Sequence, residues 1–367
     1  MKLTKLDIIN FRNYEKLSLE FEDVNILIGR NGVGKTNILE SIYVLAITKS
    51  HRSYLDKNLI KEDKDFAKIT GSVNKKCEKN TYELIISAKG KKVSINKNIL
   101  RRISDYLSNF TAILFCPDDL DLIKGSPSER RKFLNIEIGQ LDNKYIATLN
   151  DYNQLIKNRN EYLKNITFNN YNARYLSVIN NQIATKASII YDYRYKYLKK
   201  VEENLIKMYD EQFKLPIKIK FNNNCEIIDE TDNIKEKILN KLNKNLKKEI
   251  ILGSTQYGPH KDDFDIILDG KNIRDYGSQG QQRLAIISLK LGEIDIFKKY
   301  VGTNPILLLD DVFSELDENK KNNLLKYINK DNQVIITTTD LNNIDKKILN
   351  NAKIIKIKNG KILKKEM

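Results

Sequence analysis

Gly29-Arg30-Asn31-Gly32-Val33-Gly34-Lys35-Thr36 has the G-x-x-x-x-G-K-[ST] spacing of a phosphate-binding loop. Glycines accept backbone dihedrals that a side chain forbids, so the chain can wrap closely round a phosphate. The Lys35 ammonium can reach β- and γ-phosphates, and the Thr36 hydroxyl can hold Mg²⁺. Gly29, Arg30, Asn31, Gly32, Val33, Gly34, Lys35, Thr36 and Asn37 are therefore the expected nucleotide-binding residues, and Lys35 is also expected to act in phosphoryl transfer.

Two further stretches add to this chemistry. Ile306-Leu307-Leu308-Leu309-Asp310-Asp311 is an apolar run that ends in two carboxylates. A buried strand that delivers an acid at its carboxyl end is how such folds place the aspartate on the Mg²⁺ side. Asp310 is expected in that role beside Thr36, and Asp311 is expected to orient or deprotonate water. Ser278-Gln279-Gly280-Gln281-Gln282-Arg283 sets a hydroxyl and a glycine at the opening of a helix, which makes a second anion site. One nucleotide needs only one phosphate loop per chain. A second γ-phosphate receptor at Ser278, Gly280 and Gln281 therefore points to a partner protomer.

The surrounding pattern supplies elements that can aim these groups. Val24–Ile28 is a short apolar run suited to a buried strand, and Ile38, Ile42 and Leu45 recur at helical spacing. The loop thus joins a strand to a helix N-terminus, where free amide N–H groups and the positive end of the helix dipole suit a phosphate. Earlier strands are expected over residues 3–9 and 17–21. A meander is expected from Phe66 to Phe115, with strands at Ile69–Val73, Tyr82–Ser87, Val93–Ile95 and Thr111–Phe115. Ser126-Pro127 is an N-cap and first-turn pair, and the chain reads as helical from there to about residue 210. In that region Leu176, Ile179, Ile183, Ala187, Ile190, Tyr193, Tyr197, Val201, Leu205 and Met208 mark one long amphipathic helix. Strands at 216–221, 264–268, 305–309 and 333–337, helices at 234–250, 279–299 and 317–328, and a terminal hairpin about Asn359-Gly360 complete the reading. Most of the chain separates the phosphate loop from Asp310, as in a nucleoside triphosphatase head with a long insertion.

Composition narrows the class. Lys+Arg 64 against Asp+Glu 48 gives a net charge of +16, and a polyanion is the obvious partner. No stretch approaches the roughly 20 apolar residues of a membrane span, and Met1-Lys2-Leu3-Thr4-Lys5 opens no apolar leader. Cys77, Cys116 and Cys225 stand apart, with neither a C-x-x-C pair nor a Cys/His cluster. A reducing, cytoplasmic setting is expected.

The S-x-G-Q-Q-R segment ahead of an L-L-L-D-D strand resembles the signature motif of ABC-type ATPases of the SMC/Rad50 kind. More narrowly, the whole chain resembles the RecF family of bacterial recombination mediators. The matching segments are Asn10-Phe11-Arg12-Asn13-Tyr14, the phosphate loop with Thr36-Asn37-Ile38-Leu39-Glu40, and Lys49-Ser50-His51-Arg52. They continue with Pro117-Asp118-Asp119-Leu120, Lys124-Gly125-Ser126-Pro127 with Arg130-Arg131, Gly258-Pro259-His260-Lys261-Asp262-Asp263, Gly277 to Arg283, and Asp310 to Asp317.

The resemblance implies an α/β ABC-type ATPase head, a mixed sheet with an antiparallel subdomain, and an inserted helical domain in place of a long coiled-coil arm. The implied domains are 1–125 and 213–367 for the two parts of the head, and 126–212 for the insertion. It also implies an ATP-dependent homodimer that sandwiches two ATP with Mg²⁺. In that dimer Ser278 and Gly280 of one protomer close on the γ-phosphate held by Lys35 of the other. Arg12 would lie near the adenine end or the phosphates, and Ser314-Glu315-Leu316-Asp317 would form the D-loop across the interface. The activity implied is a weak, DNA-dependent ATPase that binds duplex and gapped DNA and works with RecR and RecO to bring RecA onto DNA. Two departures stand out. Asp311 occupies a position usually held by Glu, so slow hydrolysis is expected. Thr337-Thr338-Thr339-Asp340 stands where a switch histidine is usual, so a hydroxyl contact is expected there. His260, inside a family motif, is a further functional candidate. A transporter subunit, an SMC-like structural protein and an ATPase–nuclease fusion are disfavoured. The chain lacks, respectively, a membrane-coupling pattern, long sustained heptads, and room for a nuclease domain before Met367.

Overall fold

The computed structural model describes the chain except residues 77, 168, 214, 229–232, 316–320, 322–331, 359 and 364–367. It divides into two compact units, Met1–Asp119 with Lys290–Met367, and Leu120–Leu289. The second unit is wider than the helical stretch 126–212, because it also takes in the strands and helices up to Leu289.

In the first unit, β1 (Lys2–Phe11) turns through Arg12 and Asn13 into β2 (Tyr14–Glu20). β3 (Val24–Ile28) leads through the phosphate loop to α1 (Lys35–Ile47). β4 (Phe66–Lys75), β5 (Glu78–Ser87), β6 (Gly90–Ile95) and β7 (Asn98–Ile99) follow as a meander, then a short α2 (Ile103–Tyr106) and β8 (Ala112–Phe115). The antiparallel strands form one sheet in the order β2-β1-β4-β5-β6-β7. Leu17 and Leu19, Ile69 and Val73, and Leu84 and Ile86 alternate with more exposed residues, as in a sheet with one covered face.

β8 departs from the expected meander. It pairs parallel to β12 (Ile306–Asp310) in the other sheet. Its four residues Ala112-Ile113-Leu114-Phe115 are all buried and do not alternate, which suits a parallel strand covered on both faces. That sheet runs β15-β14-β3-β13-β12-β8, where β13 is Val334–Thr338, β14 is Lys353–Lys358 and β15 is Lys361–Ile362. α1 is buried nearly all round and contacts strands of both sheets. Its close approach to β4 depends on Gly71, where an added Cβ would lie 2.5 Å from Leu45 Cδ2. β14 and β15 form the expected terminal hairpin. The helix expected at 317–328 lies outside the described residues, Lys321 apart.

In the second unit, α3 (Asp121–Lys124), α4 (Pro127–Leu141), α5 (Asn143–Lys164) and α6 (Ala173–Phe213) are succeeded by β9 (Ile217–Asn222). α6, with 41 residues, is roughly 60 Å long at 1.5 Å per residue. The Lys-rich helix expected at 234–250 is two helices, α7 (Ile234–Lys244) and α8 (Leu246–Leu252). They part at Asn245, which leaves helical geometry (φ −104°, ψ 10°) and returns its side-chain N–H to the Lys241 carbonyl. β10 (Asp263–Leu268) and β11 (Lys271–Asn272) meet at Asp269-Gly270, both at positive φ, as the hairpin turn requires. α9 (Ile273–Tyr276) leads to α10 (Gln279–Val301), which begins in this unit and continues into the first.

The core of the second unit is polar as well as apolar. Arg194 and Asp262 are 1% and 0% exposed at the side chain and pair at 2.7 Å, with Tyr191 donating to the same carboxylate. Arg159 pairs with Glu249, both fully buried, and Arg130 pairs with Asp263. His260 belongs to this core. Its Nδ1 bonds the Tyr152 hydroxyl at 2.6 Å and its Nε2 the Thr255 carbonyl at 3.0 Å, so both nitrogens serve packing. Burial pulls its pKa down to about 4.

Candidate nucleotide site

The phosphate loop is the sharp link between a buried strand and a buried helix. Gly32 and Gly34 adopt φ of 79° and 107°, and Gly34 is the N-cap of α1. At Gly29 an added Cβ would stand 2.4 Å from the Ile357 carbonyl oxygen, so the loop also runs tightly against β14. Lys35 Nζ donates to the carbonyls of Gly29 (2.7 Å) and Arg30 (2.9 Å), which holds the ammonium within the loop. Burial draws the Lys35 pKa below the usual lysine value, against the charges of Asp311 and Asp310.

The parallel sheet brings the acid to the loop. β3 and β12 both flank β13, so the carboxyl ends of all three strands lie together. Thr36 Oγ1 donates to Asp310 Oδ1 at 3.0 Å, across 274 positions of sequence. Thr337 Oγ1, at the end of β13, donates to the same oxygen at 2.7 Å and accepts from the Asp311 N–H at 2.9 Å. Asp311 takes φ 53°, and that backbone bond helps to hold it in the left-handed region. Burial raises the Asp310 pKa, opposed by the hydrogen bonds of Thr337 and Thr36 and by the charge of Arg52. The donor set suits Mg²⁺. It offers one carboxylate and one hydroxyl, both hard oxygens, and magnesium normally takes one or two carboxylates with phosphates and water. Among the described residues no group of three or more His, Cys, Asp or Glu gathers for a metal.

Arg12 sits beside α1 rather than extending freely from its turn. Its guanidinium grips Glu40 through Nε–Oε2 (2.9 Å) and Nη2–Oε1 (2.6 Å), and Nη1 donates to the Asn58 carbonyl. Glu40 is wholly buried and also accepts from Ser50 Oγ at 2.5 Å, and that oxygen in turn accepts the N–H of Arg52 and Ser53. Asn37 links the same region, donating to Asn13 Oδ1 (2.8 Å) and accepting from Arg52 Nη1 (3.0 Å). No local motif marks Glu40 or Ser50 as a site residue, and Thr337 is one of three consecutive threonines. Ser50 lies in a short polar segment and Thr337 near the end of a buried strand, whereas Glu40 stands in a helical run among apolar neighbours.

Ser278, Gly280 and Gln281 belong to the Leu120–Leu289 unit, whereas the loop, Asp310 and Asp311 belong to the other. Ser278 and Gln281 form a reciprocal cap on α10. Ser278 N donates to Gln281 Oε1 (2.8 Å), and Gln281 N donates to Ser278 Oγ (3.3 Å). Gly280, in the first turn of α10, is half-buried. Of the expected D-loop, Leu316 and Asp317 lie outside the described residues.

The chain is similar to known proteins along nearly its whole length. The model of the RecF/RecN/SMC N-terminal domain family matches residues 2–362. The chain is 40% identical over 372 residues to the DNA replication and repair protein RecF of Ligilactobacillus salivarius, covering 99% of this chain and 97% of that protein. It is similar, with TM-score 0.91 and 33% identity, to the structure of the recombination mediator protein RecF-ATP in the RecFOR pathway, over 98% of this chain and 96% of that one. It shares a fold, at TM-score 0.54 and 15% identity, with an SMC head bound to the C-winged helix domain of ScpA, over 98% and 96% of the two chains. No helix among the described residues is long and apolar enough to cross a membrane. With an SMC/RecF head-like ATPase fold and a phosphate loop set against Asp310, the chain belongs to the RecF family of DNA replication and repair proteins.

Proposed function

We propose that the protein is an ATP-gated, DNA-binding recombination mediator. It dimerises on ATP, grips duplex or gapped DNA, acts with RecR and RecO to load RecA, and lets go when ATP is hydrolysed. The observation that carries this reading is the Thr36–Asp310 contact. It joins the phosphate loop to an acid 274 positions away and leaves one hydroxyl and one carboxylate side by side. Bound Mg²⁺ would supply charge neutralisation of the β- and γ-phosphates.

The chain's own residues do the rest. Amides of the loop and of the α1 N-terminus hold phosphate oxygens. Lys35, already inside the loop, compensates their charge. Asp311 orients the attacking water and accepts its proton, and its shorter side chain makes turnover slow. Ser278 and Gly280 of the second protomer complete the γ-phosphate pocket, and Arg12 faces the nucleotide while Glu40 braces it. The charge of +16 supports binding to a phosphate backbone.

Sedimentation tests the scheme. The protein is run with and without ATP and Mg²⁺, then with duplex and with gapped DNA. A shift from monomer to dimer on ATP, with tighter DNA binding that weakens as salt rises, is the expected result; Lys35→Ala abolishes both. A wild-type protein that stays monomeric with a non-hydrolysable triphosphate and DNA refutes the reading.

A further inference from the structure

We propose that Tyr14 is a positioning residue of the nucleotide site, fixing the Gly34–Lys35 peptide so that the Lys35 amide faces the phosphate. The inference rests on the nucleotide reading above. Tyr14 opens β2, opposite Phe11 across the turn Arg12-Asn13. It is 2% exposed, so its ring offers no free face on which a base could stack. Its hydroxyl donates to the Gly34 carbonyl at 3.1 Å. That carbonyl also accepts the Ile38 N–H at 3.2 Å, which closes the first turn of α1. A carbonyl oxygen has two lone pairs, so both donors are accommodated.

The consequence follows from peptide geometry. In a planar trans peptide the C=O of one residue and the N–H of the next point in opposite directions. With the Gly34 oxygen held along the helix, the Lys35 N–H points back out of the helix N-terminus, into the loop. The fit is tight. A Cβ on Gly34 would stand 2.5 Å from the Tyr14 hydroxyl oxygen and 2.7 Å from Asn13 Nδ2. Asn13 bears on the same helix end through its bond from Asn37 Nδ2 at 2.8 Å. The β1–β2 turn therefore touches the start of α1 at two points, and burial keeps the Tyr14 phenol protonated as a donor by raising its pKa.

Tyr14→Phe removes the one oxygen and keeps the ring. An amide that binds phosphate in both ground and transition states contributes uniform binding, so its misalignment raises KM and leaves kcat alone. Loss of the Tyr14 hydrogen bond is expected to weaken ATP and ADP equally, by about fivefold in Kd, with KM rising in step and kcat within about twofold. The melting temperature without nucleotide should change little, while the rise on adding ATP shrinks. If the variant bound both nucleotides as wild type does, or lost kcat at unchanged KM, the inference would fall and the nucleotide reading would stand. Wild-type protein that bound neither nucleotide would overturn both.

Discussion

Thr337→Val is the most informative change at the site. Valine keeps the shape of threonine and loses only its hydroxyl, which stands 2.7 Å from Asp310 Oδ1 and 2.9 Å from the Asp311 N–H. Two independent magnitudes apply. A hydrogen bond to a charged acceptor contributes about 1.5–3 kcal/mol. Removing a group that orients a metal ligand costs roughly 10–100-fold in metal affinity, which is about 1.4–2.8 kcal/mol. Their agreement sets the expectation that half-saturating Mg²⁺ in the ATPase assay rises roughly 10–100-fold. The backbone of Asp311 is affected as well. Without the Thr337 oxygen its N–H loses the partner that helps to keep φ at 53°, so kcat falls even at saturating Mg²⁺. The assay is steady-state phosphate release at fixed ATP with Mg²⁺ varied, beside a binding titration in EDTA that should show little change. Mg²⁺ dependence and kcat both within a factor of two of wild type would refute the idea that Thr337 organises the two acids.

Three more expectations can be checked directly. Ser278→Arg should leave nucleotide binding by the monomer intact and block ATP-dependent dimers in sedimentation; a variant that still dimerises removes the assignment of Ser278 to the partner's nucleotide. Burial raises the Glu40 pKa, but the hydrogen bonds of Arg12 and Ser50 and the charges of Arg12 and His51 outweigh it, leaving the net value below normal. Its stabilisation is therefore full above the unfolded glutamate pKa of about 4.3 and fades as pH falls through the lower folded value. Glu40→Gln should melt well below wild type at pH 7, and the gap should close in strong acid; a gap independent of pH contradicts this. Arg194→Met strands the buried Asp262 carboxylate and should cost about 3–5 kcal/mol in urea unfolding, while Arg194→Met with Asp262→Asn recovers part of the loss.

The strands and helices that carry the site are largely legible in the sequence, because their signals are local. A glycine-spaced loop between an apolar run and a helical stripe, and an apolar run closed by Asp310-Asp311, need no knowledge of the rest of the chain. What stayed hidden depends on partners far away. Glu40 lies in an ordinary helical run, and nothing nearby shows that Arg12 and Ser50 converge on it in the core. β8 reads like one more strand after the meander, since no local residue says which sheet it will join. Asn245 divides a helix whose lysines and leucines continue the same stripe on both sides. In the Thr337–Asp340 segment, the local sequence does not say which hydroxyl turns inward; it is Thr337 that bonds Asp310 and the Asp311 N–H at the end of β12.

The strand order has a consequence for how the protein is made. β3, which delivers the phosphate loop, lies between β13 and β14 and pairs with no other strand among the described residues. Those neighbours leave the ribosome roughly 300 residues later, about 15–60 s at ordinary elongation rates. Until then the nascent chain carries an apolar strand with both edges open. A truncated translation product that stops before Val334 lacks both strands that flank β3 in the folded protein, so the strand that carries the phosphate loop stays without its sheet.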